Sequence, residues 1–180
     1  MIFKNLWHRK TRTLLTILGI SVGVAAVVSL SAFGEGFASG YEKVFTSSDA
    51  DLMVAQRDAV MVLFSKVDED IGAEIKRIPG VAEVTGTVTT MVTMTDVPYF
   101  IVSGEDPRGF TMAHYRIIAG GPISRRKQIL VGKLTAETFE KEIGEAFRLD
   151  GVTYRVAGIY ETGISFEDGG AVMNLEDAQR

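Results

Sequence analysis

The chain has 180 residues, with 23 acidic side chains, 19 basic side chains and no cysteine. Without cysteine, the sequence excludes disulfide frameworks, thiolate zinc sites and cysteine nucleophiles. Four basic residues precede residue 13, whereas every acidic residue follows residue 34, so the long C-terminal part is acidic. Because neutralising phosphates requires clustered Lys and Arg, we expect no nucleic-acid partner.

An uncharged apolar segment runs from Leu14 to Phe33. About twenty helical residues cover roughly 30 Å, which matches the hydrocarbon core of a bilayer. We therefore predict a transmembrane helix over residues 13–34, with the lipid bilayer as a partner. Helical spacing of apolar residues continues beyond Gly34 as far as Phe45, so the same helix is expected to run on past the membrane.

Positive charge is concentrated in the short flank before this segment, at Lys4, Arg9, Lys10 and Arg12. Such charge keeps a flank in the cytoplasm. We therefore predict that residues 1–12 are cytoplasmic, that residues 35–180 form an extracytoplasmic domain, and that the chain resides in the cell (inner) membrane.

The flank itself has an apolar face. Its spacing is typical of a short amphipathic helix in the headgroup layer, with a tryptophan as membrane-interface anchor. The residues predicted on this face are Ile2, Phe3, Leu6 and Trp7. A cleaved secretory signal has a similar pattern, but the apolar run is longer than an ordinary signal core of roughly 7–15 residues and no clear A-x-A site follows it. A retained anchor is favoured.

Gly19 and Gly23 form a GxxxG pair within the predicted membrane helix, and Ala26 roughly continues their face. Small residues at this spacing allow a second helix to approach closely, so the pair predicts a packing surface. The alternative is that glycine is simply common in membrane helices.

The remaining residues predict alternating strands and helices. A strand is expected at residues 52–54, and the apolar run at 59–64 fits either a buried strand, a short helix or a contact loop. A helix is expected from near Ser65 to Pro79, with Ile71, Ile75 and Ile78 on one face.

Residues 84–95 alternate apolar and polar side chains and should form a hairpin with residues 99–102. A strand at 128–131 should lead into a helix carrying Ala136, Phe139 and Ile143, with Gly144 as its C-cap. Asp150-Gly151 signals a second hairpin. A strand at 170–173 should end at Asn174, a helix N-cap.

The predicted fold class is therefore α+β. One N-terminal transmembrane helix is followed by a mixed α/β extracytoplasmic domain with antiparallel hairpins.

The sequence contains no pattern of catalytic, cofactor-binding or metal-ligating residues. Gly132-Lys133 resembles part of a phosphate loop, but the glycine and Ser/Thr positions of that motif are not met. His8 lies in the cytoplasmic flank and His114 is the only other histidine, so no histidine-based triad or metal cluster is expected in the outer domain. We do not expect an enzyme.

Several blocks in fixed order resemble the MacB/FtsX-type ABC transporter permease family, specifically its N-terminal membrane helix and MacB-like periplasmic core domain. Each block is short, and their shared order over nearly the whole chain carries the resemblance. The blocks are residues 5–28, IKRIPGVAEV at 75–84, VSGEDP at 102–107, ILVGKLTAE at 129–137, YRVAGIYETG at 154–163 and VMNLEDAQ at 172–179.

The resemblance implies a permease subunit that passes ATP-driven motion through its membrane helices to its outer domain. It implies a cytoplasmic ABC ATPase subunit as a partner, which would hold the ATP, so no cofactor is expected in this chain. A second permease copy, making a dimer, is also implied. The family's later three membrane helices are absent from these 180 residues, so the resemblance implies the N-terminal portion of a longer permease. The alternative is a single-pass anchored extracytoplasmic binding module that works without an ATPase.

Overall fold

The computed structural model describes residues 10–46, 50–59, 65–94, 97 and 99–180. The chain divides into two compact units, Met1–Lys43 and Val44–Arg180. The proposed interface anchors Ile2, Phe3, Leu6 and Trp7 lie outside the described residues, as does nearly all of the apolar run at 59–64.

A single long helix, α1 (Lys10–Thr46), dominates the first unit. Its 37 residues correspond to a length of about 55 Å. The segment Lys10–Gly40 is long and apolar enough to cross a membrane. Inside it, the Thr16 hydroxyl donates to the Arg12 carbonyl at 2.9 Å, so this polar side chain is satisfied within the helix. The predicted helix and its continuation past Gly34 are both confirmed.

The second unit contains short helices and strands in alternation. In chain order they are α2 (Glu69–Ile75), β1 (Val88–Val92), β2 (Phe100–Glu105), a 3₁₀ helix (Phe110–His114), β3 (Arg116–Gly120), β4 (Gln128–Gly132), α3 (Lys133–Thr138), β5 (Ala146–Leu149), β6 (Val152–Glu161), α4 (Ser165–Asp168), β7 (Ala171–Asn174) and α5 (Leu175–Ala178).

The described strands form one mixed sheet in the order β1-β2-β7-β4-β6-β3, with β5 also pairing with β6. The β2/β7 and β4/β6 pairs are parallel. The β1/β2, β3/β6, β4/β7 and β5/β6 pairs are antiparallel. This arrangement confirms an α+β fold with a mixed outer domain and antiparallel hairpins.

The central strands β4 and β7 are buried on both faces. Neighbouring residues Ile129 and Leu130 of β4 belong to different apolar clusters, and so do Ala171 and Val172 of β7. On one face the cluster includes Ala136 of α3 and Phe147 of β5. On the other face, the residues that pack against the sheet come from the 3₁₀ helix, β3 and the following loop: Met112, Tyr115, Ile117 and Ile123.

A bulge at Ala157 lets β6 contribute to both clusters. Ile129 of β4 pairs with Val156, whereas the next residue, Leu130, pairs with Gly158. The extra residue reverses which face the following side chains point to, because side chains alternate along a strand. Val156 accordingly belongs to the first cluster and Tyr160 to the second.

Two of the predicted turns and caps are confirmed. Asp150 and Gly151, between β5 and β6, have φ values of 44° and 79°, as a two-residue hairpin turn with both central residues in the left-handed region requires. Asn174 caps α5, because its side-chain oxygen accepts a hydrogen bond from the Glu176 amide at 3.0 Å. The predicted hairpin of β1 and β2 is also confirmed.

Two predictions in the N-terminal half of the outer domain are wrong in part or in full. Residues 52–54 form no strand, and the Leu52 side chain is 88% exposed, so its apolar character does not reflect burial within this unit. The helix predicted from near Ser65 begins only at Glu69 and ends at Ile75. Ile71 and Ile78 are both exposed, so the helix lacks the packing that would extend it.

The helix after β4 is also shorter than predicted. It ends at Thr138, and Phe139 then packs against the first cluster from outside a regular helix. Glu140 has a φ of 49°, which breaks the helical path. Gly144 is therefore not a C-cap. It has a φ of 90° in the turn before β5, where its amide donates to the Val156 carbonyl at 2.8 Å.

Gly132, at the end of β4, lies directly against the backbone of α4. A Cβ atom at this position would be 2.2 Å from the Asp168 carbonyl oxygen. We predict that Gly132→Ala destabilises the outer domain by about 1–3 kcal/mol, since backbone must move to relieve the overlap. Pulse proteolysis of the full chain across a urea series measures this.

The matched control is Gly86→Ala, where an added Cβ meets nothing within 4 Å. It should change the free energy of unfolding by less than about 0.5 kcal/mol. Equal urea midpoints for the two variants would contradict the close contact between β4 and α4.

Candidate functional site

The predicted packing residues Gly19 and Gly23 lie on α1 with open space beside them. A Cβ added to either would meet nothing within 4 Å, and both are exposed. The two glycines lie on the same side of α1, and their role in helix packing stays a prediction.

The glycine face continues along α1 as a heptad seam, which we define as Gly19, Gly23, Ala26, Leu30, Phe33 and Phe37. These positions follow alternating spacings of four and three residues. Such a 3.5-residue repeat keeps one side of a helix facing a neighbour in left-handed packing. The Phe33 and Phe37 rings stack on each other with centroids 6.5 Å apart, and both are exposed. Sequence reasoning found only the first three positions, although the heptad spacing was readable.

The outer domain contains a buried polar cluster between β2 and the 3₁₀ helix. Its central residue is Glu105, which is only 5% exposed. The Thr111 hydroxyl donates to the Glu105 Oε2 atom at 2.8 Å. The Tyr115 side chain lies close to Glu105 and Ser103. Strand alternation explains part of this grouping, because Ser103 and Glu105 lie on the same face of β2.

Burial controls the charge of this cluster. Loss of water around Glu105 raises the pKa of its carboxyl group from 4.5 to about 7, despite the opposing effects of the Thr111 hydrogen bond and the nearby His114. Burial also raises the pKa of Tyr115, and the Glu105 charge adds to this shift. Glu105 therefore changes charge near neutral pH, whereas the Tyr115 phenol stays neutral there.

A second part of the cluster joins the 3₁₀ helix to α4. The His114 Nε2 atom lies 2.6 Å from the Glu167 Oε2 atom, and both side chains are mostly buried. The Tyr160 hydroxyl donates to the Glu167 backbone carbonyl at 2.6 Å. The His114 and Tyr160 rings both contact the Tyr115 ring edge-on. His114 is thus a paired residue of the outer domain.

The loop before α4 is held by a buried carboxylate. Asp168 accepts hydrogen bonds from the Thr162 amide at 2.7 Å, the Thr162 hydroxyl at 3.1 Å and the Gly163 amide at 3.2 Å. Nearby, the Lys133 ammonium group donates to Glu161 at 2.8 Å, and Arg116 also pairs with Glu161. The Lys133 hydrogen bond lowers the pKa of Glu161. These contacts have a structural role, since they pair the polar groups at the end of β6 and in the loop that follows it.

The contacts described above hold protons and fix the backbone of the adjoining loops. Among the described residues, no group of three or more His, Asp or Glu side chains is arranged to hold a metal ion. Sequence reasoning did not find Glu105 and Glu167 as partners of the 3₁₀ helix. Alternation along β2 could have placed Glu105 beside Ser103, but the 53-residue separation of His114 and Glu167 carries no local signal.

The family model of the MacB-like periplasmic core domain matches residues 13–180. The chain belongs to this family. This match confirms the resemblance to the MacB/FtsX-type ABC transporter permease family that the order of the sequence blocks indicated.

Three curated relatives of this MacB-like chain are macrolide export ATP-binding/permease proteins MacB. Identity is 27% over 181 residues with the protein of Chlorobium luteolum, 26% over 185 residues with that of Chlorobium phaeobacteroides and 28% over 180 residues with that of Bdellovibrio bacteriovorus. Each match covers 87% of this chain and 27% of the relative. The chain therefore spans about a quarter of the length of these relatives.

Two solved structures are similar to part of this chain. The periplasmic region of MacB from Actinobacillus actinomycetemcomitans is 8% identical, with a TM-score of 0.47, and the match covers 62% of this chain and 56% of that one. The extracellular domain of the ABC-type transporter YknZ from Gram-positive bacteria is 14% identical, with a TM-score of 0.48, covering 60% and 62%.

The raised pKa of Glu105 makes the stability of this MacB-like domain depend on pH. The folded state holds the Glu105 proton more tightly than the unfolded chain, so the proton favours folding at low pH and this stabilisation is lost as the pH rises from about 4.5 to about 7. A pKa shift of this size corresponds to a change of roughly 3 kcal/mol in the free energy of unfolding. We predict that Glu105→Gln, which stays neutral, removes this part of the pH dependence.

Urea unfolding of the full chain at several pH values measures the effect. Glu83→Gln, a change at an exposed glutamate, is the control and should keep the wild-type profile. If the Glu105→Gln profile falls as steeply as that of the wild type, the carboxyl group does not ionise in the folded domain near neutral pH.

Proposed function

We propose that this chain is the N-terminal portion of a membrane permease subunit in an ABC-type export or mechanotransmission complex. The observation that carries the proposal is the family match over residues 13–180, in a chain whose α1 helix is long and apolar enough to cross a bilayer. The curated relatives are named ATP-binding/permease proteins, which supports an association with ATP-driven transport.

In this proposal the outer domain lies outside the cytoplasm of the inner membrane. Lys10 and Arg12 stand at one end of the apolar part of α1, and Glu35 is the first acidic residue beyond its other end. This asymmetry favours a cytoplasmic N-terminus. The anchor residues Ile2, Phe3, Leu6 and Trp7 would then lie along the cytoplasmic headgroup layer.

The proposed partners are a cytoplasmic ABC ATPase subunit and a second permease copy. The ATPase would bind and hydrolyse ATP, and this chain would transmit the resulting motion to its outer domain without binding nucleotide itself. The heptad seam supports a neighbouring membrane helix in the complex, because six positions at 3.5-residue spacing are exposed on one side of α1. The small residues at Gly19, Gly23 and Ala26 would permit the closest approach.

Orientation can be tested with single cysteines, since the chain has none of its own. We predict that Glu74→Cys, on α2, reacts with a membrane-impermeant maleimide in spheroplasts. Thr11→Cys, near the start of α1, should react only after the membrane is permeabilised. Mass spectrometry of the purified chain measures labelling. Reaction of Thr11→Cys in intact spheroplasts would contradict a cytoplasmic N-terminus.

Association with an ATPase can be tested by purifying the tagged chain from membranes of its native host. We predict that an ABC ATPase co-purifies in a fixed stoichiometry. Gly23→Leu should lower the recovered ATPase several-fold, because a large side chain holds the seam away from its neighbour. Val28→Leu, which lies on the opposite side of α1, is the matched control and should keep wild-type recovery.

Two results would count against this proposal. Purification of the intact chain with no ATPase would favour the alternative, an anchored extracytoplasmic binding module that works alone. Equal ATPase recovery with Gly23→Leu and Val28→Leu would show that the seam does not pack on a membrane helix of the complex.

A further inference from the structure

The 3₁₀ helix Phe110–His114 covers a residue that is more buried than the helix itself. No residue of the 3₁₀ helix is fully buried, whereas Glu105 beneath it is 5% exposed. The backbone hydrogen bonds of this segment are local: the Met112 amide donates to Gly109 and the Tyr115 amide to Met112, both at 3.2 Å. Because no strand hydrogen bonds hold it, the segment can open without unpairing the sheet.

The segment is attached to the domain mainly by side chains. Thr111 donates to Glu105 of β2, and His114 pairs with Glu167 of α4. Met112 adds an apolar contact with the cluster around Tyr160 and Val172. Two of these three attachments are made to a carboxyl group, so their strength depends on whether that group is ionised.

We propose that the 3₁₀ helix Phe110–His114 is a proton-controlled latch, which is closed over the protonated Glu105 carboxyl group and opens locally when that proton is lost. An ionised carboxylate sealed under the latch lacks the water that would stabilise its charge. Local opening admits water to Glu105 and leaves the strands paired. This inference rests on the outer domain alone and holds whether or not the chain works with an ATPase.

The groups around Glu105 determine whether the latch opens at high or at low pH. From the latch side, the Thr111 hydrogen bond, the nearby His114 and the Tyr115 side chain all favour the charged form of the carboxyl group. From α4, Glu167 disfavours that form. The β7 residue opposite Glu105 in the sheet is Asn174, which carries no charge. Burial outweighs the favourable contacts and raises the pKa of Glu105 to about 7, so opening is expected to become easier as the pH rises from about 4.5 to about 7.

The turn before the latch provides a fixed end about which it can move. The Gly109 amide donates to the Asp106 carbonyl at 2.8 Å, and the Arg108 amide donates to the Asp106 side chain at 2.9 Å. A Cβ atom on Gly109 would lie 2.8 Å from the Thr85 hydroxyl oxygen, so the turn is closely packed. The hydrogen-bonded turn therefore holds the N-terminal end of the latch when the rest opens.

Amide hydrogen exchange of the full chain in lipid nanodiscs tests the latch. Protection factors, corrected for the intrinsic pH dependence of exchange, are compared between pH 5.5 and pH 8 for Met112 and Tyr115 and for amides of β4 and β6. We expect the latch protection to fall about tenfold or more, which corresponds to roughly 1.4 kcal/mol. The β4 and β6 amides should stay far better protected than the latch at both pH values, since opening is local.

Variants identify the titrating group. Glu105→Gln should abolish the pH dependence of latch protection, and Glu83→Gln should leave it unchanged. His114→Gln should retain a transition, because the proton that matters is on the carboxyl group. Thr111→Val should move the midpoint to higher pH, since the hydroxyl hydrogen bond favours the charged carboxylate. This last variant keeps Glu105 and remains informative if Glu105→Gln does not fold.

Three outcomes would overturn the latch. The first is latch protection that is equal at the two pH values in the wild-type chain. The second is latch protection that equals that of β4 and β6 at both pH values, which would mean that the segment opens only when the whole domain unfolds. The third is a transition that persists in Glu105→Gln or keeps its midpoint in Thr111→Val, which would assign the proton to another group.

Discussion

The outer domain depends on the burial of β4 and β7 on both faces. Sheet strands in this position need apolar side chains at successive residues and apolar cover from two directions. The chain supplies one cover with α3, β5 and α5, and the other with the 3₁₀ helix and β3. Because the second cover comes from a half-buried segment, it also carries the polar cluster. The more fully buried cover and the half-buried cover therefore lie on opposite faces of β4 and β7.

The polar cluster shows how a small domain holds charges at the edge of its core. Asp168 receives three hydrogen bonds from the adjoining loop, which compensate its removal from water. Glu105 receives fewer, and burial raises its pKa. Backbone amides are directed at the Asp168 carboxylate, whereas the hydrogen bond to Glu105 comes from a side chain.

The features that the sequence predicted correctly depend on residues close together in the chain. They are the long apolar helix, the Asp150-Gly151 turn and the Asn174 cap, and all are present in the structure. The strand at residues 52–54 and the longer helix after β4 failed, because apolar spacing does not reveal whether a partner covers it. The pairing of His114 with Glu167 and the burial of Glu105 depend on how distant elements meet, which no short motif encodes.

The bulge at Ala157 divides β6 into two parts whose buried side chains point to different faces of the sheet. Before the bulge, Val156 packs in the first apolar cluster, and after it Tyr160 packs in the second. The number of residues between Val156 and Tyr160 therefore matters more than the chemical identity of the residue that is bulged out. Substitutions at Ala157 leave this count intact, whereas a one-residue insertion or deletion in β6 would exchange buried and exposed side chains along half the strand. Among relatives with this fold, the exposed positions of β6 can vary, whereas the length of the strand should be kept.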